Sequence, residues 1–339
     1  MIFELASMES QFCVICGQST SLYNYGTISC SACSSFFRRT VLAKVPIQQC
    51  PHQDACYTPE NRATHSECKY CRFHKCVDVG MINTQKYTNL TKLINQLSVL
   101  DKKRSYTCAN MMLPPDFRLS SIFDYEHIKL IKKTPEVRFI SHDWGCVHQL
   151  ASMEFIKTFQ FVKFLSLQDL QVFMKTAHFN HVIFASAMRS FGIRQGYLSF
   201  PDGSDVFPEC IKKITCYNPE FLNRIRCKLM GRIIELNINP EEYLLLSAII
   251  LCNPAAVNLS VKGRTLISSY QKVYGSLLFQ YCCQVNKKNG PLRFSELLTI
   301  FHAISQTHHD IGQFFLLFQM YQPNAQPIQL YQEVIDYMM

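Results

Sequence analysis

The sequence predicts two folded parts of different kinds: a small, metal-stapled α module near the N-terminus and a larger all-α domain behind it. Three observations predict this. Of 17 cysteines, nine fall between Cys13 and Cys76, mostly in paired spacings. From about residue 135 onward, apolar stretches recur at helical spacing with little glycine, and no strand-like alternation is sustained. The chain has 339 residues, 48% of them hydrophobic and 17% charged, which is comfortable for two domains and excludes wholesale disorder.

No apolar run reaches the roughly 18–20 residues needed to span a bilayer, so no membrane partner is expected. The longest, Leu244–Cys252, stops at Asn253 and Pro254. Residues 1–12 read as a short tail. It carries Glu4 and Glu9 and lacks a basic stretch followed by an apolar one, so no secretory leader is expected. The net charge of 34 − 25 = +9 is uneven: residues 1–133 hold 16 basic and 10 acidic side chains, which hints at a polyanion partner without naming one.

Residues 13–82 form the cysteine-rich module. Cys13-x2-Cys16 and Cys30-x2-Cys33, separated by thirteen residues, place four thiolates on two tight turns, enough to close one tetrahedral zinc site. Cys50-x5-Cys56 and Cys68-x2-Cys71, with eleven residues between the pairs, supply a second set. In a reducing compartment such density means metal rather than disulfides, and no βαβ pattern lies nearby to suggest a redox site. Eight cysteines fill both sites and leave no coordination position for a catalytic water, so the two Zn²⁺ are structural. A module this small buries too little surface to be secure unaided, whereas a structural zinc contributes on the order of 10–16 kcal/mol. His52, His65 and His74 read as polar loop or helix-surface residues, and Cys76 as a packed free thiol.

A helix opens at Cys30, running through Ser31-Ala32-Cys33-Ser34-Ser35-Phe36-Phe37-Arg38-Arg39. The two phenylalanines are its inward face. A rod held at its N-terminus by metal, with small polar residues leading and arginines following, suits a DNA major groove.

Residues 83–130 read as a linker, partly helical early on, with a polar break at Asp101–Ser105 and a Pro114–Pro115 pair. Residues 131–339 are the all-α domain. Helices are expected over Trp144–Phe161, Leu167–Phe191, a stretch beginning at Pro240, Leu259–Tyr281 and Leu292–Tyr321, with a last amphipathic turn or two at 328–337. Glu241 and Glu242 suit the positive end of the helix that Pro240 starts. The Phe- and Met-rich positions Phe155, Phe159, Phe161, Phe164, Phe173, Met174, Phe179, Phe184 and Met188 are most simply core.

Taken together, the two cysteine sets, Phe36-Phe37-Arg38-Arg39 and Cys68-Lys69-Tyr70-Cys71-Arg72-Phe73-His74-Lys75-Cys76 through Gly80-Met81 resemble the DNA-binding domain of a nuclear hormone receptor. The wording is most similar to the expanded nematode branch of the hepatocyte nuclear factor four type. The resemblance implies that Cys13, Cys16, Cys30 and Cys33 bind one zinc, and Cys50, Cys56, Cys68 and Cys71 the other. It puts Ser31, Ala32, Ser34 and Ser35 at base-reading positions, where many members carry Glu, Gly, Lys and Gly. Each charged base contact given up forfeits about 1–3 kcal/mol of discrimination, so the family's usual half-site does not carry over. Arg38, Arg39, Arg72 and Lys75 stand as phosphate or base-edge contacts. The loop at 51–55 lacks the arginine common in dimerising members, which leaves homodimer, heterodimer or monomer open.

The resemblance continues more weakly into a ligand-binding-domain-like helical sandwich. Lys157 through Asp169 follows the segment joining its third and fourth helices, departing at Leu170, where glutamine is common. Leu330-Tyr331-Gln332-Glu333-Val334-Ile335 fits the activation-helix pattern. A coregulator helix lying in a groove would then have its ends gripped by Lys157 and Glu333, one at its terminal carbonyls and one at its terminal amides. The implied function is a sequence-specific transcription factor acting with RNA polymerase II in the nucleus, with double-stranded DNA and coregulators as partners and no enzymatic activity. A small lipophilic ligand is left open. The alternatives are a constitutive regulator whose helical domain has no pocket, and a zinc-module interaction protein that is independent of ligand.

Overall fold

The computed structural model describes residues 12–43, 46–52, 54–57, 68–81, 90–114, 129–207, 209–214 and 217–321. The expected activation helix at 328–337 and His65 lie outside them. The cysteine-rich part begins with a two-stranded hairpin, β1 (Tyr23–Asn24) against β2 (Thr27–Ile28), followed by helices α1 (Ser31–Leu42) and α2 (Lys69–Asp78). Both helices begin at a cysteine pair. Cys30 is the N-cap of α1, its Sγ accepting from the Cys33 amide, and Cys68 is the N-cap of α2. Phe37 and Phe73 stack at 5.9 Å to form the core between the two helices. Gly80, at φ +89°, takes the left-handed turn that ends α2 and lets the Met81 amide return to Cys76 O.

The stretch expected as a linker carries α3 (Leu90–Asn110), 21 residues long and packed on the helical domain. Leu90, Leu93 and Leu97 are buried at helical spacing, but the second half of the helix turns a charged side chain inward. Arg104 Nε donates to Asp101 Oδ1 at 2.8 Å, and its Nη2 donates to the Tyr243 hydroxyl. The Tyr243 hydroxyl in turn donates to Asp101 at 2.9 Å. Asp101 and Arg104 of the polar run are therefore part of an inward-facing network, while Lys102, Lys103 and Ser105 stay exposed, and the helix continues through the run. A second hairpin, β3 (Met111–Met112) with β4 (Ile131–Lys132), follows.

The helical domain then comprises α4 (Ser141–Lys157), a 3-10 turn at Gln160–Phe164, α5 (Leu167–Gly192), the short α6 (Glu209–Lys212), α7 (Pro219–Leu236), α8 (Pro240–Leu251), α9 (Val261–Asn286), α10 (Gly290–Leu298) and α11 (Ile300–Tyr321). Two helices make the central layer. α5 touches α4, α7, α8 and α11, while α8 touches α3, α5 and α9. α8 is apolar all round and buried from Glu242 to Leu251, as a helix covered on every side must be. Its one buried charge, Glu242, completes a capping box with Asn239 and takes the Arg293 guanidinium at 2.7 and 2.6 Å. A buried ion of this kind is tolerated only with such pairing.

Candidate functional site

The sulfur atoms of Cys13, Cys16, Cys30 and Cys33 lie within 4.8 Å of one another, and so do those of Cys50, Cys56, Cys68 and Cys71. A tetrahedron with Zn–S bonds of about 2.3 Å has S···S edges of about 3.8 Å. Cys16 to Cys30 is 3.5 Å and Cys50 to Cys56 is 3.4 Å, so both cradles suit that ion. Burial pushes the Cys33 and Cys71 thiols up, and a bound dication is what makes four thiolates at one point favourable. Neither His52 nor His74 joins a cluster. The position of His74 differs from the expected helix surface: it is buried at 2% exposure, its ring packed against Tyr70 and Phe73. Cys76 is fully buried, and burial pushes its thiol up to about 12, an inert packed group.

On α1 the buried side is Cys33, Phe36, Phe37 and Val41. Ser31, Ala32, Ser35, Arg38 and Arg39 are exposed, and Ser34 is half-buried with its hydroxyl donating to Ser31 O. At 100° per residue these six occupy roughly 160° of the helix circumference, one continuous outward face. The helix is about 18 Å long and presents serine hydroxyls near its metal-held end and two guanidinium groups beyond. Arg72 departs from the expected phosphate-contact position. Its Nη2 donates to Cys33 Sγ at 3.4 Å and its guanidinium lies 4.5 Å from the Phe36 ring centroid, so it turns inward onto the first sulfur cluster. A cation there offsets thiolate charge from outside the coordination shell. Lys75 is half-buried on α2.

In the helical domain, Lys157 falls in the last turn of α4 with its Nζ 3.2 Å from Glu154. Glu333 lies outside the described residues. Leu170 is buried in the core, where its methyls take the place of the amide common at that position.

A cavity of about 880 Å³ opens among α4, α5, the 198–207 segment, α6, α7 and α11. Its walls include Phe179, Phe200, Phe207, Phe314 and Phe318. Of the nine Phe and Met positions read as core, Phe179 faces this space. The other aromatics come from loops and from α11, which the sequence could not bring together. The wall is mostly apolar but also carries polar side chains, among them His148, Gln149, Ser186, Asp202, Asp205 and Lys212. His148 is 5% exposed, its Nε2 has no hydrogen-bond partner among the described residues, and its Nδ1 is 3.5 Å from Ser186 Oγ. Burial, reinforced by Arg189 and Arg104, holds this imidazole well below its ordinary pKa and so neutral.

Comparison with known proteins matches both halves. Residues 11–83 match the double treble clef zinc finger of C4 type, and residues 133–321 match the ligand-binding domain of nuclear hormone receptor. The chain is 46% identical over 325 residues to nuclear hormone receptor family member nhr-27 of Caenorhabditis elegans, covering 96% of this chain and 92% of that one. It is 34% identical to nhr-9 of the same organism over 99% of both chains, and 32% identical to nhr-167 over 96% and 97%. A module built on two four-sulfur clusters, followed by this helical sandwich, defines a DNA-binding regulator. The chain belongs to the nuclear hormone receptors, a family of transcription factors rather than enzymes, and its cofactors are two structural zinc ions.

Proposed function

We propose that residues 13–82 read a specific duplex sequence through the outward face of α1, and that the helical part, joined by α3, regulates RNA polymerase II transcription from the nucleus by presenting a groove to coregulator helices. The observation that carries this reading is the unbroken exposed face Ser31, Ala32, Ser34, Ser35, Arg38 and Arg39 on a helix fixed at its N-terminus by the first sulfur cluster. Serines at reading positions accept either donor or acceptor base edges, so affinity rests on phosphate contacts more than on bidentate base recognition. Lys157, at the C-terminal end of α4, and Glu333 are the residues that would grip a coregulator helix. The mostly apolar wall supports a lipophilic ligand, with one hydroxyl or carbonyl group placed against His148 Nε2.

Random-site selection with the full zinc-loaded chain tests the reading. An enriched half-site supports it, while equal recovery of every oligonucleotide refutes it. Native mass spectrometry of the same preparation reports on the cavity: a retained lipid, lost in His148→Phe, is the expected result, and an empty chain that no lipid extract can load removes the ligand.

A further inference from the structure

The hydrophobic core does not stop at the zinc module. One cluster of buried side chains runs from Phe37 and Phe73 through Phe164 into the helical domain, with the Phe73 and Phe164 rings 4.3 Å apart. Polar contacts flank this seam. At one side Lys262, near the start of α9, lies 3.3 Å from Asp54 Oδ2, donates to Asp54 O and approaches the Tyr70 ring at 5.5 Å. At the other, Lys163 Nζ donates to Val41 O at 3.2 Å and to Ala43 O, and Gln160 Nε2 also donates to Val41 O. Val41 and Ala43 are the last residue but one and the C-cap of α1. Carbonyls at a helix C-terminus lack intrahelical partners and carry partial negative charge, so an ammonium group is the natural cap.

The two segments that make these contacts are tied to each other. Buried Asp169 accepts from Ser166 Oγ, from Ser260 N at 2.7 Å and from Ser260 Oγ at 2.7 Å, joining the end of the 160–166 segment to the start of α9. Gly263 permits this approach, since a Cβ there would meet Asp169 Cγ at 2.6 Å.

We propose that the helical domain clamps the DNA-reading helix from behind within one chain. The first metal cluster fixes the N-terminus of α1, and Lys163 with Gln160 fixes its C-terminus, while the face carrying Ser31, Ser35, Arg38 and Arg39 stays open. The clamping segment lies just past Lys157, so an event at the end of α4 reaches α1 through the five residues 158–162 and the Lys163 ammonium group. The description of α1 as a reading helix rests on the proposed function; the clamp itself does not, and its test uses no DNA.

The experiment uses the full zinc-loaded chain at submicromolar concentration. Zero-length carbodiimide coupling is expected to join Asp54 to Lys262 within a band of monomer mass. Absence of that cross-linked peptide, or its appearance only in covalent dimers, overturns the proposal. Hydrogen exchange of the last turn of α1 is expected to run roughly three- to tenfold faster in Lys163→Ala and to be restored in Lys163→Arg, which keeps a cationic donor. Equal exchange in all three proteins overturns the clamp even if the chains touch.

Discussion

Arg38 stands exposed on α1, while Arg72, on the next helix, donates to Cys33 Sγ and stacks over Phe36. The same residue type therefore has two physical tasks here, and salt separates them. A guanidinium that neutralises one phosphate releases condensed counterions and adds about 0.9 to the slope of log K against log salt. Arg38→Ala is expected to lower that slope by about this amount, measured on the selected duplex by fluorescence anisotropy across a salt series. Arg72→Ala is expected to leave the slope in place and weaken zinc binding by roughly 10- to 100-fold, the usual effect of removing a partner just outside the coordination shell. A slope that falls in Arg72→Ala with zinc affinity intact would return Arg72 to the phosphate backbone.

At the scale of elements, α1 and α2 depend on metal in a way that α5 and α8 do not. Each of the first pair is 10 to 12 residues long, too short to persist alone in water, and each starts on a cysteine pair. Chelation is expected to erase hydrogen-exchange protection over 31–42 and 69–78 and to abolish duplex binding. Protection of α5 and α8 should survive, and zinc should restore the rest. Protected amides in α2 after zinc removal would show that its packing on α9 suffices without metal. Legibility in the sequence follows the range of the signal. The eight sulfurs are readable because their spacing is local, and α5 because its 26 residues carry an unbroken helical period, expected to Phe191 and observed to Gly192. The early part of α3 was legible, but its run on to Asn110 hid behind the inward-facing Arg104 and Asp101, which read as a polar break. α7 escaped notice because Arg224, Arg226, Lys228 and Arg232 interleave its buried Leu222, Ile225, Leu229 and Ile233. The single helix expected over Leu292–Tyr321 breaks at Thr299, whose hydroxyl donates to Glu296 O and accepts the Arg232 guanidinium. Contacts across the chain made that break, as they made the cavity and the clamp on α1. No local pattern records them.

For the whole molecule, the buried histidines of the central layers set the acid limit. His178 is held down to about 4 by burial, and His148 and His181 are held well below their ordinary value for the same reason. All three are neutral in the folded chain. His178 Nδ1–H donates to Met174 O at 2.6 Å, its Nε2 lies 3.3 Å from the Gln149 side-chain amide, and His181 Nδ1 meets Ser152 Oγ at 2.7 Å. In the unfolded chain they titrate near 6.5, so below that pH the unfolded state binds protons that the folded state refuses. Stability is therefore full above about 6.5 and declines as pH falls toward 4, with a limiting slope of about 1.4 kcal/mol per pH unit for each histidine. Three such groups acting together remove about 4 kcal/mol per unit, set against a typical total of about 5–15 kcal/mol. Trp144, the chain's one tryptophan, is buried in α4 beside His148 and reports on this domain without interference from the zinc module. Urea unfolding followed by its fluorescence should show a midpoint that is level from pH 8 to 7 and drops steeply between 6 and 5. His181→Asn should shallow that drop by about a third. A midpoint that stays level down to pH 5 would mean that these imidazoles reach water, and that the layers around them open far more readily than their burial implies.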